Sequence, residues 1–332
     1  MEKLLATDRN IDYLYPHVDV WGFPISSYLF LGGLAAGILL FAALYYLLGK
    51  EKDMPFTVKI GPLFAFPIIV LGLILLIFDL HHKLYVWQLF MTARAVSPMS
   101  WGAWTLVIVS FFSLLWPLSF IDSIDDYLVK RGWSNMTKVT EYLIKLEHKW
   151  LIPHFIIIMF RKYRKFFAFL MLLFSIVLGI YTGILLSAFN AHPLWNNPIL
   201  GPLFLTSGVS TGSAFVMWLS ENKKERLLMS AIDMSLIAIE LFFIVHMFMG
   251  MEAGAEVYKQ AADLFLGGEF TAVFWGVFVG MGLILPFILE AMELKGFHIP
   301  IVIPAILILA GGLLFRIIMV QAGQMSEYPM FP

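Results

Sequence analysis

The chain has 332 residues, of which 60% are hydrophobic, 16% aromatic and 14% charged, and its formal net charge is −1. Soluble globular domains carry about 25% charged residues, so a compact fold of this size could not cover its surface. The mean hydropathy of +0.85 also indicates that most of the chain is not exposed to water. This composition excludes an ordinary soluble enzyme, a disordered chain and, for want of a basic face, a nucleic-acid-binding protein. The chain has no cysteine, which excludes disulfides, cysteine-held iron–sulfur clusters and thiol chemistry.

Eight apolar runs are long enough to cross the hydrocarbon core, which takes about 20 residues. Residues 1–23 are too polar to form a signal peptide, so the first run is predicted to be a retained membrane helix. The runs are continuously apolar and do not alternate, which favours helices over a barrel. We therefore expect one all-α integral membrane domain over residues 1–332. The predicted helices are about 24–48, 60–80, 101–121, 166–189, 198–219, 229–250, 271–291 and 299–320.

The distribution of Lys and Arg predicts the orientation, because basic residues accumulate in inner loops. With the N-terminus outside, the inner loops 49–59, 122–165, 220–228 and 292–298 hold 3, 9, 3 and 1 basic residues. The outer segments hold five in all. Both termini are therefore predicted to lie on the outer, periplasmic side of the inner (cytoplasmic) membrane. The long inner loop 122–165 mixes acids and bases, as is typical of an amphipathic helix on the anionic inner leaflet.

Polar side chains gather at the predicted outer ends of the helices, although such groups are costly in lipid and usually line a cavity or a path. Acids, imidazoles, a phenol and aromatic rings on one membrane face suit a flat apolar ring with two carbonyl oxygens, such as a quinone. Interpretations without a ligand remain open: an interfacial aromatic belt, an Asp79–Lys83 surface pair and helix capping by Asn190. The candidate residues are Ser26, Ser27, Tyr28, Asp79, His81, His82, Arg94, Ser97, Trp101, Tyr181 and Asn190.

A second group of polar residues lies within the later helices. Asp233 and Glu240 are seven residues apart and therefore share one face of the sixth helix. Glu290 lies near the inner end of the seventh helix, and Arg316 lies towards the outer end of the eighth. The three acids could relay protons from the inner side, or Glu240 could pair with Arg316 and fix the packing. The residues alone leave both interpretations open.

Haem is disfavoured. A membrane-embedded b-type haem commonly takes two axial histidines from within the helices, and His246 is the one clear candidate inside a predicted span. The protein is therefore expected to hold no haem, iron–sulfur cluster or metal of its own.

Three strings carry a family resemblance. They are WGFPISSYLFLGGLAAG at the first helix, DLHHKLYVWQLFMTARAVSPMSWGAW after the second, and YTGILLSAFNAHPLWNNPILGPLFLTSGVSTGSA at the end of the fourth. They resemble the NrfD/polysulfide reductase membrane-subunit family, the PsrC-like quinone-interacting anchors of respiratory oxidoreductases.

The resemblance implies a membrane subunit built of two four-helix bundles, without cofactors of its own. Such a subunit would bind menaquinone or another quinone near the outer face. It would exchange electrons with a ferredoxin-like iron–sulfur subunit docked there, and through it with a molybdopterin subunit or a multihaem cytochrome. Membrane lipid is the remaining expected partner.

The resemblance also implies site residues. The quinone pocket would be formed by Ser26, Ser27 and Tyr28, by Asp79 and His82, and by Tyr181 of a YxG motif, with an SP motif at Ser97. Tyr28 stands where the polysulfide-reductase version has a histidine. Because a phenol titrates near 10 and an imidazole near 6.5, proton exchange is assigned to His81, His82 or Asp79.

The leading hypothesis is a quinone- or quinol-reactive subunit with Asp79, His82 and Tyr181 as catalytic residues. Ser26, Ser27, Tyr28, His81, Arg94, Ser97, Trp101 and Asn190 would bind the quinone. The alternatives are a redox-coupled proton translocator that uses Asp233, Glu240 and Glu290, and a purely structural anchor. The sequence leaves open the direction of turnover and the terminal substrate.

Overall fold

A computed structural model describes residues 21–79, 83–91, 93–132, 137–138, 140–142, 144–145 and 151–326. All regular secondary structure in these ranges is helical. Eight of the helices are long and apolar enough to cross a membrane, which confirms the all-α, eight-helix prediction. They are α1 (Phe23–Leu47), α2 (Phe56–Asp79), α4 (Pro98–Leu118), α7 (Arg164–Ser187), α8 (Leu200–Leu219), α9 (Lys223–Glu252), α11 (Ala272–Leu294) and α12 (Val302–Met325).

The eight spanning helices keep the predicted order, and their ends differ from the predicted ones by a few residues. The largest difference is at α9, which begins at Lys223 instead of about residue 229. Asn222 caps this helix, because its side chain accepts a hydrogen bond from the Lys224 backbone N–H at 3.0 Å. The charged residues of the predicted inner loop therefore form the first turn of α9.

Shorter helices lie in the connections. Helix α3 (Val86–Met91) follows α2, and α10 (Glu256–Leu266) follows α9. The predicted inner loop contains α5 (Ile121–Arg131) and α6 (Leu151–Lys162). The single amphipathic helix expected for this loop is thus at least two helices. They are joined by an Arg161–Asp122 ion pair at 3.6 Å.

Helices α1 and α8 form the centre of the molecule. About 83% of the α1 span and 89% of the α8 span are buried. Helix α1 packs on α2 and α7 as well as on α8 and α12, and α8 also packs on α7 and α9. The two central helices therefore contact helices from both halves of the sequence.

Glycines bring α1 and α8 into backbone contact. Gly33 and Gly37 of α1 face Gly208 and Gly212 of α8, each pair being four residues apart. A Cβ atom at Gly37 would lie 2.4 Å from the Gly208 carbonyl oxygen. Since lipid gives helices no hydrophobic reason to associate, such small-residue seams let van der Waals contact hold them together.

The two ends of the described residues meet on one side of the bundle, which we call the terminus side. Gln324 accepts a hydrogen bond from the Trp21 backbone N–H at 3.0 Å and donates one to the Trp21 carbonyl at 2.8 Å. His192 Nδ1 lies 3.0 Å from the Ser326 carbonyl oxygen, and Trp195 donates to Met319 at 2.8 Å. The terminus side thus carries residues 21–22, 83–91, 93–97, 188–199, 253–271 and 326. The other side, which carries α5 and α6, is called the opposite side.

Candidate functional site

A cavity of about 580 Å³ opens at the terminus side of the first helices. Helices α1, α2, α4 and α7 form its walls, and α3 forms its cover. Its lining is mainly apolar with a few polar groups, the usual makeup of a small-molecule site. The lining includes Tyr28, Leu76, Tyr85, Gln88, Leu89, Arg94, Ser97, Ser100, Leu106, Tyr181 and Leu185.

Tyr181 owes its position to a glycine on the neighbouring helix. A Cβ atom at Gly102 of α4 would lie 1.7 Å from Tyr181 Cζ and 2.1 Å from its hydroxyl oxygen. The Tyr181 ring, which belongs to α7, therefore fills the space that the side chain of any residue other than glycine would need at position 102. Because the ring is packed against the backbone in this way, its hydroxyl is held at the cavity wall.

Tyr28 reaches the same cavity from α1. Its ring packs next to Gly72 of α2, where a Cβ atom would lie 3.6 Å from Tyr28 Cδ2. Both phenols are buried, with Tyr28 8% and Tyr181 7% exposed, and they are close enough to interact electrostatically. The cavity therefore presents two hydroxyl groups, each able to donate to or accept from a carbonyl oxygen.

Two hydrogen bonds hold the turn that carries Arg94. The Arg94 backbone N–H donates to Ser100 Oγ at 3.0 Å, and the Trp101 indole N–H donates to the Ala95 carbonyl at 2.7 Å. The Arg94 side chain lines the cavity and is exposed. A cation thus lies at the mouth of a largely apolar cavity.

Four of the predicted residues, Tyr28, Arg94, Ser97 and Tyr181, line this cavity together. Trp101 lines two neighbouring hollows. Asp79 ends α2 and is partly exposed. His81 and His82 lie outside the described residues.

The remaining predicted residues do not line the cavity. Ser26 and Ser27 are buried on α1. Ser26 donates a 3.4 Å hydrogen bond to the Gly22 carbonyl, whereas Ser27 Oγ is buried without a hydrogen-bond partner among the described residues. Asn190 is exposed beyond the end of α7.

Buried polar residues form a second group at the contact of α8, α9, α11 and α12. Ser213 of α8 donates to Asp233 at 2.6 Å. The Asp233 carboxyl is close enough to that of Glu290 on α11 for the two to interact, and Ser210 lies beside it. All three predicted path residues, Asp233, Glu240 and Glu290, are at most 1% exposed.

The same group continues from Asp233 to Glu240 along α9. Arg316 lies near enough to Glu240 for the two charges to interact, Ser207 lies beside Glu240, and Arg316 Nη1 donates to Ser207 Oγ at 2.6 Å. The Arg316 guanidinium also donates to the Gly312 and Phe204 carbonyls at 2.9 and 3.3 Å. We call Glu290, Asp233, Ser213, Ser210, Ser207, Glu240 and Arg316 the buried stripe. Six side-chain atoms of the stripe have no hydrogen-bond partner among the described residues: Ser210 Oγ, Asp233 Oδ2, Glu240 Oε1, both carboxyl oxygens of Glu290 and Arg316 Nε.

Sequence reasoning missed several residues that shape these two regions. Tyr85 and Gln88 belong to the short helical segment around α3, which was expected to be a loop, and Gly102 looks like an ordinary small residue in a membrane helix. The serines at 207, 210 and 213 recur every three residues, and this spacing places them near one face of a helix. That pattern was the available signal for the stripe.

Among the described residues, no group of three or more His, Cys, Asp or Glu side chains is placed to hold a metal ion. Neither the cavity nor the stripe is built of such a ligand set. The groups these regions offer are phenols, hydroxyls, carboxyls and guanidinium groups, which exchange hydrogen bonds and protons.

Comparison with known proteins gives one consistent result. The family model described as "Polysulphide reductase, NrfD" matches residues 14–326. Protein NrfD of Escherichia coli K12 is 30% identical over 327 residues, covering 92% of this protein and 96% of the relative. The C chain of polysulfide reductase from Wolinella succinogenes is 30% identical over 321 residues, covering 92% and 94%. The NrfD homolog of Haemophilus influenzae is 28% identical over 334 residues, covering 97% and 99%. The protein therefore belongs to the polysulphide reductase NrfD family of multi-pass membrane proteins.

Proposed function

We propose that this protein is the quinone-reactive membrane subunit of a respiratory oxidoreductase complex. Membership of the NrfD family, which includes the C chain of a polysulfide reductase, supports a membrane subunit of such a complex. The observation that carries the proposal is the cavity on the terminus side, where Tyr28 and Tyr181 meet in a mainly apolar lining. A quinone ring is flat and apolar with two oxygens, and this cavity matches both properties.

In this proposal the terminus side faces the outside of the inner membrane, as the distribution of Lys and Arg indicates. A ferredoxin-like iron–sulfur subunit would dock there and connect to a molybdopterin subunit or a multihaem cytochrome. Helices α1, α2, α4 and α7 would belong to one four-helix bundle and α8, α9, α11 and α12 to the other. Residues 1–332 would act as a single membrane domain.

The site residues have distinct roles in the proposed reaction. Oxidation of a quinol releases two electrons to the iron–sulfur subunit and two protons, and reduction of a quinone takes up both. Tyr181 and Tyr28 would hold and orient the ring oxygens, and Arg94 would stabilise negative charge that develops on an oxygen near the mouth. Asp79, which ends α2, and His82 would exchange protons with the outer side as general acid and base. Ser26, Ser27, His81, Ser97, Trp101 and Asn190 would complete the surroundings of the ring.

The test removes single hydroxyl groups from the cavity. Tyr181→Phe should lower quinol turnover by the assembled complex about 100-fold, the size expected for loss of a positioned hydrogen bond. The matched control is Tyr45→Phe, a buried tyrosine near the far end of α1. Steady-state assays in proteoliposomes compare the two. Equal turnover in both variants and in the wild type would remove the cavity from the reaction.

A second function, proton translocation, is favoured by the buried stripe. Three carboxyl groups and one guanidinium are embedded in the membrane domain, with hydroxyl groups of α8 between them. Such groups are costly in lipid and typically mark proton paths. We infer that Glu290 and Asp233 would take up protons on the opposite side and pass them to Glu240.

Glu240→Gln separates the two functions, because glutamine keeps the shape of the side chain but cannot release a proton. We expect the variant to keep electron transfer and the two protons that each quinol releases at the cavity, and to lose the additional proton movement across the membrane, measured as protons per quinol with a dye in sealed vesicles. Ser235→Ala, a surface position on the same helix, serves as the control. A wild-type ratio of protons to quinol in Glu240→Gln would contradict the proton path and leave a structural role.

A further inference from the structure

Tyr181 lies in the wall between two hollows. One is the cavity described above. The other is a groove of about 490 Å³ between α4 and α7, lined by Trp101 and Thr105 of α4 and by Val177, Ile180, Tyr181 and Ile184 of α7. We call it the α4/α7 groove. Because the Tyr181 ring fills the place of a side chain at Gly102, this ring is part of the partition between the two.

The α4/α7 groove is apolar and faces outward. Val177 is 39% exposed, Ile184 42% and Trp101 62%. In a membrane these side chains meet lipid. From Val177 to Ile184 the groove follows α7 for seven residues, which is about 10 Å. Tyr181 lies within this stretch, and the four residues from Tyr181 to Val177, about 6 Å, lead away from the terminus side, so an apolar chain that left the cavity beside Tyr181 could lie along them as it enters the bilayer.

We propose that the α4/α7 groove holds the polyprenyl tail of the quinone whose ring occupies the cavity, with Tyr181 at the junction. This rests on the proposed function. A membrane quinone joins a polar ring to a long apolar tail, so its site must combine a pocket with a route to lipid. Tyr181 lines both the groove and the cavity, and the other lining side chains of the groove, apart from Thr105 and the Trp101 indole, are hydrocarbon.

The experiment compares a quinol that carries the tail with one that lacks it. Ile184→Trp fills the groove without touching the cavity lining of Tyr28, Arg94 and Ser97. The assembled complex is assayed in proteoliposomes with menaquinol, which has a polyprenyl tail, and with menadiol, which has the same ring and no tail. We expect KM for menaquinol to rise about tenfold, in the range for altered contact of an apolar group with its pocket. The KM for menadiol should stay at the wild-type value.

Leu173→Trp is the matched control, because Leu173 is 45% exposed on the same helix and lies beyond the groove. It should change neither KM. Val177→Phe is a second variant that fills the groove at its far end, and it should give the same split between the two quinols if Ile184→Trp fails to assemble.

Each possible result of the KM comparison either supports or contradicts the tail site. Equal changes for both quinols, or no change for either, as with a phospholipid chain in the groove, would overturn the tail site. Tyr181→Phe, assayed in parallel, tests the ring site separately, since it should slow both quinols. If Tyr181→Phe turns over both quinols normally, the proposed function itself fails. If it is slow but the groove variants show no split, the tail site alone fails.

Discussion

The cavity and the buried stripe are both polar regions inside one membrane protein, but they differ in access. The cavity has a volume of about 580 Å³, and Arg94 at its mouth is exposed. Every charged group of the stripe is at most 1% exposed, and hydroxyl and carbonyl groups of α8 and α12 hydrogen-bond to Asp233 and Arg316. The cavity has room for a ring-sized molecule, whereas the stripe consists of buried groups that can exchange protons. This difference supports assigning substrate chemistry to one region and proton movement to the other.

Glycines contribute to both regions with opposite results. On α4, Gly102 leaves room for the Tyr181 ring to stand at the cavity wall. On α1 and α12, Gly33 and Gly312 close the space around the guanidinium, since Cβ atoms there would lie 3.3 and 3.4 Å from Arg316 Nη2 and Nη1. Glycine at position 102 thus lets the Tyr181 ring stand beside an open cavity. Glycines at positions 33 and 312 instead let their helices pack directly against the Arg316 guanidinium.

Arg316→Met tests whether the stripe can be damaged without affecting the cavity, and it has the largest expected effect. Removing the guanidinium leaves Glu240 without the nearby opposite charge and Ser207 without its hydrogen-bond donor. Breaking a buried charge pair on one side typically costs about 3–5 kcal/mol. We expect Arg316→Met to lower the thermal midpoint of the purified complex clearly, and Arg316→Lys to lower it less. The quinone Kd of the fraction of protein that stays folded should be unchanged. A changed Kd would mean that the two regions are coupled.

Gly102→Ala tests the cavity side of the comparison. The new methyl group would collide with the Tyr181 ring, and overpacking of this kind costs about 1–3 kcal/mol. We expect quinol turnover to fall about as far as in Tyr181→Ala, because the phenol must leave its place. In a double-mutant cycle, Gly102→Ala should cost nothing further once Tyr181 is alanine. Gly276→Ala, where a Cβ atom meets nothing within 4 Å, is the control. Additive losses would show that Gly102 acts independently of Tyr181.

The sequence predicts the fold well because length and apolarity alone define a membrane helix. The eight spans are recovered in order, since each needs only about 20 apolar residues, and the structure has eight such helices among the residues it describes. The error at α9 has a local cause: Asn222 caps a helix whose first turn is charged. Hydropathy does not register a cap.

The sequence also predicts four lining residues, Tyr28, Arg94, Ser97 and Tyr181, because polar groups at helix ends stand out against an apolar background. It misses Gly102 and the cover formed by α3. The importance of Gly102 depends on a ring from α7 that reaches α4 across the bundle. Contacts between helices remote in sequence leave no local pattern in either one, so their geometry had to come from the structure.

Trp101→Phe has the smallest expected effect and tests how firmly the cavity mouth is built. The substitution removes the 2.7 Å hydrogen bond from the indole N–H to the Ala95 carbonyl, which helps to hold the turn before Ser97. A hydrogen bond contributes about 0.5–1.5 kcal/mol, and at a side chain that is 62% exposed we expect the low end of that range. The KM for menadiol should therefore rise about twofold, since about 1.4 kcal/mol corresponds to a factor of ten. Trp104→Phe, at a neighbouring exposed indole, removes a similar area without touching this hydrogen bond and should leave KM unchanged. Equal values in the two variants would show that Arg94 keeps its position without the Trp101 contact, and that the mouth of the cavity is held by Ser100 alone.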